Sequence, residues 1–210
     1  MAYLVLVRHG KSEWNLLGKW TGYVDIGLVE QGVNEARHAA HAIKDIPIDC
    51  AFISDLKRAQ ETFVQICNTL GKPDMKNVID PALKERHYGI YTGKNKWEVQ
   101  KEIGEEAFRK LRRGWDVPIP EGETLKDVYA RVVPYYEKNI KPLLLEGKNL
   151  LVVAHGNSLR ALVKYLENIP EDKIAELEIG TGEVYCYEFD TEGNITGKTI
   201  RAANPNKLNV

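Results

Sequence analysis

The sequence has few cysteines and no long apolar run. Its three cysteines, Cys50, Cys67 and Cys186, are far apart and lack the spacing of metal ligands, so we interpret them as buried, reduced thiols. No apolar segment approaches the roughly 18 residues that a transmembrane helix needs. The start of the chain also lacks the basic region followed by an apolar core that is typical of a secretory signal. We therefore expect a cytoplasmic protein.

The chain also has almost no net charge. Its 29 lysines and arginines against 30 aspartates and glutamates give a formal charge of -1, so nothing suggests a nucleic acid or an anionic membrane as a partner. Any anion site must therefore be a local concentration of positive charge. A length of 210 residues, 43% of them hydrophobic, fits a single globular domain over residues 1–210. Within it, residues 81–122 are rich in glycine and charge, and we expect them to form a cap.

The most informative stretch begins with the apolar residues 3–7, which predict a strand buried on both faces. This strand stops abruptly at Arg8, His9 and Gly10, and ligands of open α/β sheets bind beyond the carboxyl ends of such strands. Arginine can grip phosphate oxygens, and a neutral imidazole can attack phosphorus to form a phosphohistidine. Taken alone, the tripeptide also fits a histidine that merely forms a hydrogen bond in a loop. Short polar side chains follow at Ser12 and Asn15.

A second apolar run also leads to a cation. Residues 50–53 predict a buried strand, and a helix over residues 56–70 follows it. Arg58 lies in the first turn of this helix, which Ser54 or Asp55 could cap. The second strand therefore places a positive charge near its carboxyl end.

A third apolar run leads to a second histidine. Residues 150–154 predict another buried strand, and His155 follows it directly. We expect a helix over residues 159–166 that Asn157 or Ser158 caps. The amides at the start of that helix would add positive potential beside the histidine.

The other predicted elements complete an alternation of strands and helices. They are helices over 30–43, from about residue 97 and over 124–145, the last with a Thr-x-x-Asp capping signal, strands over 184–189 and 194–201, a structured loop over 20–25 and a mobile tail over 202–210. This order predicts an α/β fold: a single-domain three-layer sandwich, with a mostly parallel sheet flanked by helices and a partly helical cap insertion.

In this fold the carboxyl ends of the three buried strands meet at one crevice. Arg8, His9, Arg58 and His155 would then lie close together. Clustered cations should lower the pKa of both imidazoles and keep His9 neutral, as nucleophilic attack requires. The combination points to phosphoryl transfer.

The same residues carry a family resemblance over nearly the whole chain. Arg8-His9-Gly10 with Ser12 and Asn15, Arg58 within Ser-x-x-x-Arg-Ala, and the segment 155–160 (HGNSLR) resemble the histidine phosphatase superfamily. Three more specific segments narrow the resemblance to the 2,3-bisphosphoglycerate-dependent phosphoglycerate mutases. These segments are residues 85–89 (ERHYG), Gly93-x-Asn95-Lys96 and residues 112–114 (RRG).

The resemblance implies a role for each matching residue. His9 would be the phosphorylated nucleophile, Glu85 the general acid and base, and Arg8, Arg58 and His155 would stabilise the transferring phosphoryl group. The implied substrate-binding residues are Arg8, Ser12, Asn15, Thr21, Gly22, Arg58, Glu85, Arg86, His87, Tyr88, Lys96, Arg112, Arg113, Gly156 and Asn157.

The resemblance also implies a reaction, the interconversion of 3-phosphoglycerate and 2-phosphoglycerate in glycolysis and gluconeogenesis. It would proceed through a phosphohistidine and bound 2,3-bisphosphoglycerate, which would be the only cofactor, without a metal ion. Its partners would be small phosphoglycerates rather than nucleic acid or membrane, and the protein could be a monomer or a homodimer.

The sequence departs from the family pattern in two ways. Position 11 is Lys where many relatives have Glu or Gln, which removes no catalytic group. The connection from Arg113 to Thr124 is short, so we expect a compact variant.

Two alternatives remain open at this point. One is a phosphomonoesterase of the same superfamily, in which water attacks the phosphohistidine. The other is a pseudoenzyme that binds phosphopeptides or phosphometabolites. Lys96, Arg112 and Arg113 favour the mutase, because they could hold the far end of an intermediate that must turn around.

Overall fold

A single sheet of six strands forms the centre of the protein, in the order β3-β2-β4-β1-β5-β6. The structure is a computed structural model that describes residues 1–204. The predicted mobile tail lies outside the described residues from position 205 onward. The strands are β1 (Ala2–Arg8), β2 (Cys50–Ile53), β3 (Asn77–Ile79), β4 (Leu150–Ala154), β5 (Val184–Phe189) and β6 (Ile195–Arg201).

The sheet is mostly parallel, as predicted. β1 pairs with β4, and β2 pairs with both β4 and β3, all in parallel, whereas β5 and β6 add an antiparallel edge. Arg8 pairs with Ala154 at the ends of β1 and β4, so the next residues, His9 and His155, leave the sheet side by side. The short edge strand β3 was not predicted, because its three residues are exposed and carry no clear alternation.

Helices cover both faces of the sheet. They are α1 (Glu13–Leu16), α2 (Glu30–Ala42), α3 (Lys57–Leu70), α4 (Lys96–Ile103), α5 (Glu105–Arg113), α6 (Leu125–Tyr135), α7 (Lys141–Leu145) and α8 (Gly156–Leu166). A π-helical segment, Tyr136–Ile140, joins α6 to α7, so the predicted helix over 124–145 runs on through Pro134. Its predicted capping box of Thr124 and Asp127 is confirmed.

The two faces of the sheet bury separate cores. Successive residues of a strand point to opposite faces, so Leu4 and Val152 pack with α6 and α8, whereas Val5 and Val153 pack with α2 and α3. This arrangement is the predicted three-layer sandwich. A third, smaller apolar cluster lies around the buried Trp20 and includes residues of α4 and α5, within the segment predicted as a cap.

Two predicted helix caps are wrong. The N-cap of α3 is Leu56 rather than Ser54 or Asp55, and the exposed N–H of Lys57 donates to the Asp25 carboxylate instead, at 2.6 Å. A distant loop therefore supplies the acceptor that the local sequence was expected to provide.

The other correction concerns α8, which begins three residues earlier than predicted. His155 is its N-cap, and Ser158, at the third helical position, accepts the His155 N–H through its hydroxyl at 3.0 Å. The predicted caps Asn157 and Ser158 therefore lie inside the helix. As a consequence, the N–H groups that have no partner within α8 begin immediately after the histidine.

Two further sequence expectations concern the whole chain. All three cysteines are buried and free, as predicted. Within residues 1–204, no helix is both long enough and apolar enough to cross a membrane.

Candidate active site

A pocket opens where β1 and β4 end, and most of its wall consists of residues that the sequence singled out. Twelve of the predicted site residues line it: Arg8, His9, Asn15, Thr21, Arg58, Glu85, Tyr88, Lys96, Arg112, Arg113, Gly156 and Asn157. Four lining residues were not predicted, namely Lys19, Trp20, Arg160 and Glu178.

His9 is held in one tautomer by its two hydrogen bonds. Its Nδ1 lies 2.7 Å from the carbonyl oxygen of Gly10, which can only accept, so Nδ1 carries the proton. Its Nε2 accepts the Nε–H of Arg58 at 3.3 Å, and a guanidinium can only donate. Nε2 of His9 is therefore unprotonated, and it faces Arg58.

The pKa of His9 is well below its ordinary value. Burial is the main cause, because a buried imidazolium lacks solvent, and the charges of Arg58 and Arg8 add to the effect. The expected direction is confirmed, although burial contributes more than either cation. His9 is thus neutral at pH 7.

The loop after His9 is fixed by close packing. The Gly10 N–H donates to the Thr62 hydroxyl at 3.0 Å, which ties the loop to α3. A Cβ on Gly10 would lie 2.1 Å from the carbonyl oxygen of Gly32 in α2, so only glycine fits. The adjacent Lys11 binds Glu35 through its main-chain N–H, and its side chain does not line the pocket.

Arg58 is anchored on its far side by the loop over residues 20–25. Its two terminal nitrogens donate to the carbonyl oxygens of Val24 and Gly22, at 3.0 and 2.9 Å. Burial lowers the pKa of Arg58 to about 10, so it remains charged at pH 7. The carbonyl oxygen of Gly22 thus helps to position Arg58.

His155 lies beside His9, with 4.9 Å between the ring centroids. Its Nε2 is 2.8 Å from the Ser54 hydroxyl, whereas its buried Nδ1 has no hydrogen-bond partner among the described residues. Burial, and then the charge of Arg58, hold its pKa well below the ordinary value.

Glu85 is held by main-chain groups at one of its two oxygens. Its Oε1 accepts the N–H groups of Arg86 and Asn157, at 2.7 and 3.1 Å, and the second of these lies in the first turn of α8. Its Oε2 forms no hydrogen bond within residues 1–204 and lies 3.6 Å from the place of a Cβ on Gly156. The glycine thus leaves Oε2 open to the pocket.

Arg8 also lies next to Gly156. Its Nη1 donates to the Ile179 carbonyl at 2.7 Å, and its buried Nε has no partner among the described residues. The same Cβ on Gly156 would lie 3.5 Å from this Nε. A free guanidinium donor and a free carboxylate oxygen therefore border the same space.

Lys96, Arg112 and Arg113 also line the pocket, and we call them the distal clamp because the sequence predicts that they hold the far end of a ligand. Lys96 is 7% exposed, and burial followed by the charges of Arg112, Arg8 and Arg113 lowers its pKa to about 7. Burial lowers the pKa of Arg112 to about 10.

Two buried arginines fix the end of α5 that carries the clamp. Arg86 donates to the carbonyl oxygen of Leu111 at 3.0 Å, and Arg160 donates to that of Arg113 at 2.9 Å. These carbonyls are among the last of the helix, which have no partner inside it. Arg160 is itself a residue of α8 and also donates to the Asn157 side chain at 2.8 Å, so its bond to Arg113 connects the clamp to α8.

Five predicted site residues do not line the pocket, and each has a structural contact. Ser12 caps α1, Gly22 accepts from Arg58, Arg86 binds the end of α5, His87 packs on Tyr23 at 4.8 Å, and His155 lies behind His9. Their roles toward a ligand stay predictions.

For two of the four unpredicted lining residues, a sequence pattern could have indicated a place in the site. Arg160 belongs to a motif that the sequence already showed, and Trp20 lies in the aromatic loop that was expected over the sheet. Lys19 precedes that loop. Glu178 lies in an irregular segment after the short 3₁₀ turn Ile174–Glu176, so no local pattern marked it.

The fold and the pocket together define a class of protein: an α/β protein with a neutral histidine in an arginine-lined anion pocket. The family model of the histidine phosphatase superfamily (branch 1) matches residues 4–199. The chain belongs to this superfamily, as the sequence motifs predicted.

Similar proteins narrow the family further. A 2,3-bisphosphoglycerate-dependent phosphoglycerate mutase from Parvibaculum lavamentivorans is 45% identical over 199 residues, which cover 94% of this chain and 95% of that protein. The enzyme of the same name from Brucella anthropi is 45% identical over 202 residues, which cover 95% and 98%. Within the superfamily, the chain therefore belongs to the family of 2,3-bisphosphoglycerate-dependent phosphoglycerate mutases.

Solved structures support the fold. A mycobacterial glucosyl-3-phosphoglycerate phosphatase aligns with a TM-score of 0.77 at 22% identity, over 97% of this chain and 100% of that one. The alpha-ribazole phosphatase from Shigella flexneri aligns with a TM-score of 0.76 at 23% identity, over 96% of both chains. At these identities the similarity concerns the fold alone.

Proposed function

We propose that this protein interconverts 3-phosphoglycerate and 2-phosphoglycerate through a phosphohistidine and bound 2,3-bisphosphoglycerate. One observation carries the proposal: a neutral His9 and the distal clamp lie in the wall of one pocket. The first can accept a phosphoryl group, and the second can hold the other end of a bisphosphate. The names of the 45% identical relatives support the same reaction.

The first half of the reaction uses His9 and Glu85. Phosphorylated His9 gives its phosphoryl group to the 2-hydroxyl of 3-phosphoglycerate: the P–N bond breaks, a P–O bond forms, and Glu85 takes the hydroxyl proton. Its unoccupied Oε2 suits this role, because Oε1 is already held by two N–H groups. The product of this step is bound 2,3-bisphosphoglycerate.

The second half reverses these roles after the intermediate has turned around. His9 attacks the 3-phosphate through its unprotonated Nε2, and Glu85 returns the proton to the departing 3-oxygen, which releases 2-phosphoglycerate. Arg8, Arg58 and His155 would stabilise the transferring group. Arg58 already donates to Nε2 of His9, the buried Nε of Arg8 has no partner among the described residues, and the ring of His155 lies 4.9 Å from that of His9. These arginines supply the charge stabilisation, so the proposed steps do not require a metal ion.

The distal clamp separates a mutase from the runner-up, a phosphomonoesterase. A phosphatase releases its alcohol before water attacks the phosphohistidine, and it has little need of a second anion site. A mutase must keep the intermediate bound in two orientations, with its carboxylate and one phosphate held away from His9. Arg112 and Arg113 suit this task because a planar guanidinium binds oxyanions bidentately. We also propose a cytoplasmic location, with small phosphoglycerates as the partners.

The test is an assay of 3-phosphoglycerate conversion with and without added 2,3-bisphosphoglycerate, with parallel measurement of inorganic phosphate. We expect 2-phosphoglycerate to form rapidly once the bisphosphate has phosphorylated His9, with little phosphate released. Release of phosphate without 2-phosphoglycerate would support the phosphomonoesterase instead.

A further inference from the structure

A carboxylate, Glu178, lies in the wall of a pocket that otherwise presents mainly cations. Its Oε2 forms an ion pair with Nη2 of Arg113, and its Oε1 is 3.9 Å from Nη1 of Arg8. Glu178 is 9% exposed, so solvent screens these contacts weakly. The proposed mechanism assigns no role to Glu178, although its two carboxylate oxygens face two different arginines.

The main chain on both sides of Glu178 is fixed. Leu177, which precedes it, accepts the Nε–H of Arg160 at 3.0 Å, and Ile179, which follows it, accepts from Arg8 at 2.7 Å. Arg160 also holds the carbonyl oxygen of Arg113. The same buried arginine therefore positions both partners of the ion pair, unlike the exposed pair of Lys173 and Glu176 nearby.

A carboxylate in this position opposes the binding of an anion in two ways. It occupies a donor of Arg113 that an oxyanion of the ligand could use, and its own charge repels the phosphates. A mutase can benefit from such opposition, because equally tight binding of every bound state slows the steps that must leave those states. The intermediate has to turn around, and the product has to depart.

We propose that Glu178 shares Arg113 with the anionic ligand and thereby limits how tightly the pocket holds 2,3-bisphosphoglycerate. This inference rests on the proposed function, since it assumes that the ligand of the distal clamp is a phosphoglycerate. Glu178 would thus keep the affinity for the intermediate low enough for it to turn around and for the product to leave.

The test replaces Glu178 by Gln, which keeps the length and an oxygen that can accept from Arg113 but removes the charge. Binding of 2,3-bisphosphoglycerate is measured by calorimetry in a His9→Ala background, where no phosphoryl transfer interferes. We expect Glu178→Gln to lower the dissociation constant about tenfold or more. In the chain with His9 intact, we expect both KM and kcat to fall, because the ligand binds better and leaves more slowly.

Glu176→Gln is the matched control. It removes the same charge two residues away, but from an exposed pair with Lys173, so binding and turnover should stay at the parental values. If Glu178→Gln does not fold, Glu178→Asp tests the other effect, because it keeps the charge but shortens the reach to Arg113 and so frees that donor for the ligand. The bisphosphate should again bind more tightly than to the parent.

Unchanged or weaker binding in the Glu178 variants would overturn the inference, and weaker binding would mean that Glu178 only orients Arg113. A parent that neither binds 2,3-bisphosphoglycerate nor interconverts phosphoglycerates would instead overturn the proposed function. The two failures are therefore distinguishable.

Discussion

Arg58 donates its Nε–H to Nε2 of His9 across 3.3 Å, and this contact identifies the nitrogen that can react. The Gly10 carbonyl holds the proton on Nδ1, and burial keeps the imidazole neutral. An incoming phosphoryl group could take over the Arg58 donor while Nε2 attacks the phosphorus. The electrophile would thus be held by the same cation that prepares the nucleophile.

The first prediction concerns the phosphorylated residue. Incubation with 2,3-bisphosphoglycerate should place an acid-labile, base-stable phosphoryl group on His9, because phosphoramidates hydrolyse in acid and Nε2 of His9 is unprotonated. Peptide mapping under alkaline conditions locates the group, and His9→Ala serves as the control without a nucleophile. A label on His155 or on a serine, or turnover by His9→Ala, would contradict the assignment.

The second prediction concerns metal ions. Activity should survive prolonged treatment with EDTA, because Arg8 and Arg58 supply the charge that a metal ion would otherwise provide. Within residues 1–204, no group of three or more His, Cys, Asp or Glu side chains is arranged to hold a metal. The measurement compares the mutase rate of the untreated enzyme with its rate after EDTA treatment and removal of the chelator. A loss that manganese restores would point to a metal-dependent mechanism.

The third prediction concerns Glu85. Glu85→Gln should lower transfer to the substrate hydroxyl roughly 100-fold to 10,000-fold, the usual contribution of a positioned general acid or base. An amide can still accept the N–H groups of Arg86 and Asn157, so the fold should be retained. Rapid-quench measurements should also show slower phosphorylation of His9, since the departing alkoxide lacks a proton donor. A rate within a few-fold of the parent would mean that Glu85 is structural.

The centre of the fold was predictable because its signals are local. Three apolar runs predict buried strands, and the residues that follow a parallel strand always emerge at the same edge of the sheet. The pairing of Arg8 with Ala154 then brings His9 next to His155 without any further information. The sequence motifs of the cap segment likewise placed Lys96, Arg112 and Arg113, all of which line the pocket.

Contacts between distant segments were not predictable from local patterns. The α3 helix receives its N-terminal acceptor from Asp25 rather than from the preceding residues, since tertiary packing brings that loop to the helix start. Glu178 reaches Arg113 from an irregular segment, so its position depends on the complete fold. In both cases the sequence shows a carboxylate, but it does not show which distant residue that carboxylate contacts.

The fourth prediction concerns the protonation of Lys96 when the bisphosphate binds. Burial and neighbouring cations lower the pKa of Lys96 to about 7, so its amine is mostly neutral at pH 8 in the free protein. A bound bisphosphate favours the ammonium form and should raise this pKa. Binding at pH 8 should therefore take up nearly one proton at Lys96, and affinity should fall as the pH rises above 7.

Calorimetry in HEPES and in Tris measures this uptake, because the two buffers have different ionisation enthalpies. Lys96→Met, which keeps a similar volume, reports the protons that the phosphates themselves bind. Equal uptake by the parent and Lys96→Met would show that Lys96 does not change its protonation on binding.

The last prediction separates a mutase from a phosphatase. Arg112→Ala combined with Arg113→Ala removes two guanidinium groups of the distal clamp but leaves His9 and its contact with Arg58 in place. Each lost charge-assisted hydrogen bond should weaken binding of the intermediate by about 1.5–3 kcal/mol, or roughly 10- to 150-fold. His9 should still accept a phosphoryl group, but the intermediate would escape before it could turn around.

The readout is the ratio of inorganic phosphate to 2-phosphoglycerate, which we expect to rise strongly in the double variant. Arg109→Ala is a matched control, because Arg109 lies on the same helix but does not line the pocket. If both activities fall in equal proportion, or if neither changes, the clamp does not select between transfer and hydrolysis. The phosphomonoesterase would then be the better account of this pocket, since a second anion site was the feature that favoured the mutase.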